Sequence, residues 1–501
     1  MGKKMRESFF AFAIFLAVTG CNVGPRYVPP TCRTVEEWKG QVQSDCLPQV
    51  EHWWDVFEDE ELVKLEKLAV EKNLDLYVAI QRVAESRAVA GVARSYLYPS
   101  ADLKPVFNNV QELIELYGVP QGLFPSLKTI TRVREQLYSL PATMWYEVDL
   151  WGKYRGTYQA AKIYAESLEE AVQALYISVT TNVAGNYFNL RALDAQIALL
   201  DKTLIIEKEK VRLTRLRFEK GLVPAVDLYH VEEELANLEA EYEESVRQRI
   251  PFIDALAVLV GENASLWCFS VLPLEKEPPP IPAGLPSELL MRRPDVAQAE
   301  KAMASIHSLI GVAYATYFPN IKLTSTLGFL SPEFSRWMTW SGRLWQIGSN
   351  ITQVLFNVGR NSSYVAAARA KFEEAKGLYE KTVLVAFSEV EDALSDMEQQ
   401  KRESDAYNQG WKSAQQIEAL SSMRYEKGII NVFDVLTAKK NAFDAERKWI
   451  NVVGQRYQSS LELIKAIGGK WEAPCEKSPC CPCEEEKALS EAVAEEVTSD
   501  R

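Results

Sequence analysis

The side chains able to do chemistry are few and far apart. Three histidines, His52, His230 and His307, stand alone, with no cysteine or second histidine nearby. Sequence neighbours therefore assemble neither a histidine metal centre nor a nucleophile–base pair. Glycine-rich phosphate loops are absent too. A net charge of −13 with pI near 5.1 argues against a protein that follows phosphate backbones. No catalytic residue, metal, cofactor or nucleic-acid partner is expected. What remains are charges placed to act on ions rather than on bonds. Asp434 follows Gly428 by six residues, and Asp227 follows Gly221 by the same spacing. Each aspartate can steady a helix start, worth about 0.3–1 kcal/mol. Glu147, Asp149 and Lys322 fall on the polar side of alternating segments, which suits a water-filled lumen or an ordinary solvated strand.

The amino terminus sets the compartment. Lys3, Lys4 and Arg6 precede an apolar run from Phe9 to Val18, too short to span a bilayer as a helix and fitting a signal-peptide core. The run ends in Val18-Thr19-Gly20-Cys21, which resembles the bacterial lipobox. That resemblance implies cleavage before Cys21 and acylation of its sulfur, with several acyl chains giving stable anchoring. Asn22 rather than aspartate favours the outer membrane. The alternative is a secreted protein whose Cys21 forms a disulfide. Eight cysteines less Cys21 leave an odd number in a disulfide-permissive compartment. Cys32 and Cys46 can bridge locally. Cys475, Cys480, Cys481 and Cys483 sit in an acidic tail, as incidental disulfides of a disordered segment or as a crosslink to another envelope protein.

One unit is written twice. Arg217-Phe218-Glu219-Lys220-Gly221 with Asp227 recurs as Arg424-Tyr425-Glu426-Lys427-Gly428 with Asp434, an offset of 207. An offset of 220 maps Gly91-Val92-Ala93 onto Gly311-Val312-Ala313 and Tyr98-Pro99 onto Phe318-Pro319. Pro278-Pro279-Pro280 makes a stiff connector between the halves. The expected division is 1–20 signal peptide, 21–60 lipid-anchored segment, 61–270 first repeat, 271–287 linker, 288–470 second repeat and 471–501 tail.

Two kinds of segment alternate in each half. No proline interrupts residues 142–223 or 333–473, and Leu190, Leu193, Ile197, Leu200 and Leu204 keep a coiled-coil spacing. A single helix from Arg155 to Lys220 is about 100 Å long at about 1.5 Å per residue, which predicts an elongated assembly. Gly221 and Gly428 reverse the chain, and Asn431 then fits an N-cap with Asp434 at N3. Four other segments, about 98–108, 137–150, 317–330 and 344–356, alternate with period two. In the second of them, Leu140, Ala142, Met144, Tyr146 and Val148 oppose Ser139, Thr143 and Glu147. Four strands cannot close a membrane barrel, and open edges in lipid cost several kcal/mol per unpaired group. If these strands lie in a membrane, several chains must share one barrel.

The motifs resemble the outer membrane factor family of efflux and type I secretion systems, across about residues 21–471. They are Cys21-Asn22-Val23-Gly24-Pro25-Arg26-Tyr27, Trp53-Trp54, the stretch from Trp145 to Lys153, Arg292-Arg293-Pro294-Asp295-Val296, and Leu355-Phe356-Asn357 with Gly359-Arg360. The resemblance implies a mixed fold of long coiled-coil helices and four transmembrane β-strands per chain. A homotrimer would then form a 12-stranded barrel and a periplasmic α-barrel. It further implies a passive, non-enzymatic duct, opened by a periplasmic adaptor and driven by an inner-membrane transporter. Asp434, and more weakly Asp227, become proximal-gate candidates. Arg217, Phe218, Gly221, Arg424, Tyr425 and Gly428 become adaptor-contact candidates, and Glu147, Asp149 and Lys322 lumen-facing ones. Thr437 stands where some relatives carry a second aspartate, which weakens the case for a two-layer gate. The competing class is a coiled-coil lipoprotein that scaffolds the envelope and conducts nothing.

Overall fold

The computed structural model describes residues 23–30, 38–39, 52–115, 130–274, 276–281 and 293–469. Cys21, the local cysteine pair and the tail cysteines lie outside these residues. So do the signal segment, most of the 271–287 linker beyond Ile281, and the tail. Cys268 is described and is an exposed free thiol.

The duplicated sequence folds into duplicated elements. Helices α3 (Lys153–Glu219) and α6 (Arg360–Glu426) have 67 residues each. Their partners α4 (Ala225–Leu259) and α7 (Val432–Ala466) have 35 each. Helices α2 (Leu74–Ser95) and α5 (Pro294–Ala315) have 22 each. A shorter helix, α1 (Glu60–Lys72), opens the described helical part. Every boundary of the long pairs keeps the offset read from the motifs. Among the described residues no helix is long and apolar enough to cross a membrane.

Two compact units take parts of both halves. The first gathers described residues from 1–33, 75–174 and 294–384. It contains one antiparallel sheet of β1 (Ser100–Leu103), β2 (Val106–Glu115), β3 (Ile130–Val148), β4 (Asn320–Ser331) and β5 (Arg343–Thr352). Strands β1 and β2 both pair with β3, which pairs with β4, which pairs with β5. The first alternating segment is thus one strand line broken at Lys104-Pro105, because proline has no N–H to give the ladder. The strand limits also differ from expectation. β3 starts earlier, at Ile130, and β5 stops at Thr352 rather than running through Phe356. The sheet still has four strand lines.

All four strand–helix junctions fall at one end of this sheet, and side chains lock three of them. Trp151 donates its indole N–H to the Pro319 carbonyl (2.9 Å) and stacks on Phe318. Asn361 donates to the Thr316 carbonyl at 2.9 Å. Beneath the sheet, Ser305 on α5 donates to the Ala160 carbonyl on α3, and Lys301 pairs with Glu170 at 2.7 Å.

The second unit gathers described residues from 34–74, 175–293 and 385–501. Its core is aromatic, with Phe188 of α3 stacked on Tyr457 of α7 at 4.2 Å and Phe57 against both. The expected leucine seam on α3 is only part of what is buried. Leu190, Leu200 and Leu204 are buried as spaced, Ile197 is half-buried, and every residue from Leu190 to Ala195 is enclosed. A helix covered all round packs against neighbours on several sides rather than along one coiled-coil stripe.

Glu66 of α1 is fully buried, with the Ala184 backbone beside it. Burial pushes its carboxyl well above the usual range, with a smaller opposing effect from the Ala184 backbone. A carboxyl raised on folding contributes stability below its unfolded value, about 4.3, and loses it as pH rises through the folded value. Glu66→Gln is therefore expected to melt above the natural protein at pH 8, with the gap closing as pH falls towards about 4. Parallel thermal melts check this, and a gap that does not change with pH would show that water reaches the carboxylate.

Candidate functional site

The reversal turns are built from the residues that the duplicated motif contributes. Helix α3 ends with Gly221 at φ 70°, and α6 ends with Gly428 at φ 67°. In the first turn the Gly221 N–H reaches the Phe218 carbonyl (2.8 Å) and the Leu222 N–H reaches Arg217 (2.9 Å). The second repeats this, with Gly428 to Tyr425 (2.8 Å) and Ile429 to Arg424 (2.9 Å). This paired pattern satisfies the last helical carbonyls, and the left-handed residue it needs carries no Cβ penalty only as glycine. The turns leave apolar side chains in water. Leu222 is 72% exposed and Ile429 60%, with Phe218 and Tyr425 nearly half exposed.

The two turns differ in how the next helix starts. Asn431 accepts from the Asp434 N–H (3.1 Å), and the Asp434 carboxylate accepts from the Asn431 N–H (3.2 Å), a reciprocal cap. Pro224 occupies the equivalent place before Asp227 and offers no side-chain cap. Both aspartates are exposed. Arg217 sits with its guanidinium 4.2 Å from the Phe433 ring, so it joins the two turns within one chain. Arg424 and Tyr425 remain exposed.

Farther from the turns, charges tie three helices together. Glu207 of α3 is 1% exposed and lies 2.8 Å from Lys440 of α7 and 3.5 Å from Lys210. Lys210 also pairs closely with Glu234 of α4. Burial pulls the Lys440 ammonium down, but bonding to Glu207 and the field of Glu234 outweigh it and hold it above its ordinary value. Sequence reasoning missed this network, because residues from three helices carry no shared spacing that could signal it.

On the sheet, Glu147 faces Lys322 in register and pairs with it at 3.8 Å, while also bonding Lys153 at 3.1 Å. Both share a side with Thr143, Thr324 and Thr326. Asp149 lies past the end of β3. Its carboxylate accepts from the Arg155 N–H (2.8 Å) and pairs with that guanidinium, so it caps the start of α3 and is 7% exposed. Among the described residues no group of three or more His, Cys, Asp or Glu side chains comes together to hold a metal.

Comparison with known proteins agrees with this geometry. Residues 65–262 and 285–469 match the family described as outer membrane efflux protein. Outer membrane protein OprJ of Pseudomonas aeruginosa is 27% identical over 474 residues, 93% of this chain and 97% of that protein. The cation efflux system protein CusC of Escherichia coli is 26% identical over 468 residues, covering 92% of this chain and 98% of the other. Among solved structures, the CmeC outer membrane channel of Campylobacter jejuni superposes with a TM-score of 0.80 at 26% identity, covering 94% of this chain and 98% of that one. With both repeats matched and the two-faced sheet and paired hairpins in place, the chain belongs to the outer membrane efflux protein family.

Proposed function

We propose that this chain forms the outer-membrane exit duct of a tripartite efflux or type I secretion system, as a passive homotrimer with no enzymatic activity. One observation carries the reading. The sheet has an apolar side and a polar side, yet β5 and the β1–β2 line pair on one edge only among the described residues. Unpaired edges cost several kcal/mol per group in hydrocarbon, and a barrel removes them. Three copies of four strand lines make a 12-strand barrel, within the known range of membrane barrels.

The polar side of the sheet then lines the lumen, with Glu147 and Lys322 facing water. Asp149, bound to Arg155, serves the strand–helix junction there. Asp434 supplies a proximal acidic ring while capping α7, and Asp227 supplies a weaker one. The exposed turn residues Phe218, Arg424 and Tyr425, with Arg217 held on Phe433, meet the periplasmic adaptor, and Gly221 and Gly428 shape that surface. An inner-membrane transporter supplies the energy. Acylated Cys21 adds a lipid anchor. The 61–270 and 288–470 repeats are the two halves of this duct, joined by the 271–287 linker. Cargo follows the transporter: relatives named for toluene efflux and cation efflux match this chain over 92–93% of its length.

The test is planar-bilayer conductance of the purified protein beside heat-modifiable trimers on gels. Small, cation-selective steps are expected. Trimers that enter the bilayer and stay silent would overturn the duct in favour of an envelope scaffold.

A further inference from the structure

The apolar side of the sheet carries one charged residue among the described side chains. Register puts Arg343 opposite Phe329, and the next pair on that side is Leu327 with Trp345. Lys322 lies on the other side, opposite Glu147. Arg343 opens β5, at the end of that strand away from the four helix junctions, while β2 and β3 stay paired beyond its level. Its guanidinium rests 4.2 Å from the ring of Trp340, which is 79% exposed, and Trp345 beside it is 68% exposed. The other arginine of this connection, Arg336, is paired with Glu333 at 3.2 Å. No carboxylate stands within ion-pair distance of Arg343 among the described residues.

An arginine on the lipid-facing side of a barrel costs about 2–4 kcal/mol at the midplane but about 0–1 near the interface. On β3 the apolar side runs from Val148 to Tyr138 and gives way to Gln136 just past the level of Arg343, which marks headgroup depth, where tryptophans also concentrate. At that depth the abundant anion is lipid phosphate, and a guanidinium fixed on an aromatic ring presents a planar fork that matches phosphate oxygens. We propose that Arg343, held on Trp340 and flanked by Trp345, binds the phosphate of a lipid headgroup in the leaflet away from the helices. This rests on the membrane-spanning reading of the sheet. Seating a lipid there would also fix the depth of the sheet in the bilayer.

The test is native mass spectrometry of the full-length protein in detergent, titrated with lipid A carrying its phosphates and with the dephosphorylated form. Wild type is expected to prefer the phosphorylated lipid by about fivefold or more, the contribution of one basic residue at an anionic surface. Arg343→Gln should lose that preference, and Arg343→Lys should keep part of it, since an ammonium retains the charge without the fork. Equal binding of the two lipids by wild type, or a preference that survives in Arg343→Gln, overturns the site. Abolition of the preference by millimolar inorganic phosphate overturns the headgroup assignment in favour of a free-anion site. Conductance of wild type separates the two readings. A protein that conducts but shows no preference lacks only the phosphate site, whereas one that never enters the bilayer fails the membrane reading itself.

Discussion

Asp194→Asn is expected to destabilise the second unit by about 3–5 kcal/mol, the usual cost of removing one partner from a buried ion pair. Asp194 is fully buried and is the anion for two guanidiniums, Arg249 at 2.6 Å and Arg191 at 3.7 Å. Arg191 is itself 3% exposed and lies over the rings of Tyr187 and Phe269, so water cannot replace the lost charge. The asparagine keeps an oxygen for the Leu272 N–H, which Asp194 now accepts at 3.1 Å. The substitution therefore isolates charge from shape. These arginines also hold the extended strip before the linker, Arg249 through the Phe269 carbonyl and Arg191 through Ser270. Thermal unfolding in detergent should fall clearly, and limited proteolysis should open the chain near residues 269–281. Adding Arg249→Met should restore part of the loss, because one of the two stranded cations leaves with it. A loss below about 1 kcal/mol would show that solvent reaches the pair, as at surface bridges.

Asp434→Asn is expected to lower cation preference in planar bilayers by about fivefold while costing no more than the about 0.3–1 kcal/mol that the charge gives the helix start. A unit charge about 4 Å from an ion in water-like surroundings contributes about 1 kcal/mol, and in a trimer three such groups share one constriction. The asparagine still offers an oxygen to the Asn431 N–H, so the cap survives. Asn431→Ala is the complementary change. It removes the acceptor for the Asp434 N–H and should cost about 0.5–2 kcal/mol, with selectivity kept because the carboxylate remains. Reversal potentials under a salt gradient and thermal melts on both variants check the pair. Selectivity that follows Asn431→Ala and ignores Asp434→Asn would reduce Asp434 to a helix cap.

The boundaries of the long helices were legible because glycine and proline act locally. Gly221 and Gly428 stop α3 and α6 through backbone geometry that depends on no distant neighbour. Proline-free stretches of that length leave little else to form. The two-faced strands were legible for the same reason, since period-two alternation is written along one segment. Their exact limits were not. Pairing with β3 decides where β1 yields to β2, and the loss of a partner after Thr352 ends β5, both consequences of the ladder rather than of propensity.

Charge assignments divide in the same way. The Asn431–Asp434 cap spans three residues, so spacing alone gave it. Asp149 looked like a strand-face charge until the fold showed its carboxylate turned onto the Arg155 amide. The Glu207–Lys440 bridge, the Asp194 cluster and the seat of Arg343 on Trp340 depend on which side chains face each other, two of them across helices far apart in the chain. Sequence by itself determined the repeat, the helix lengths, the turns and the side of each strand, because backbone preference and periodicity are local. Only the tertiary structure decided which charges are buried together and which stay free, because desolvation and ion pairing depend on neighbours that the chain order does not specify.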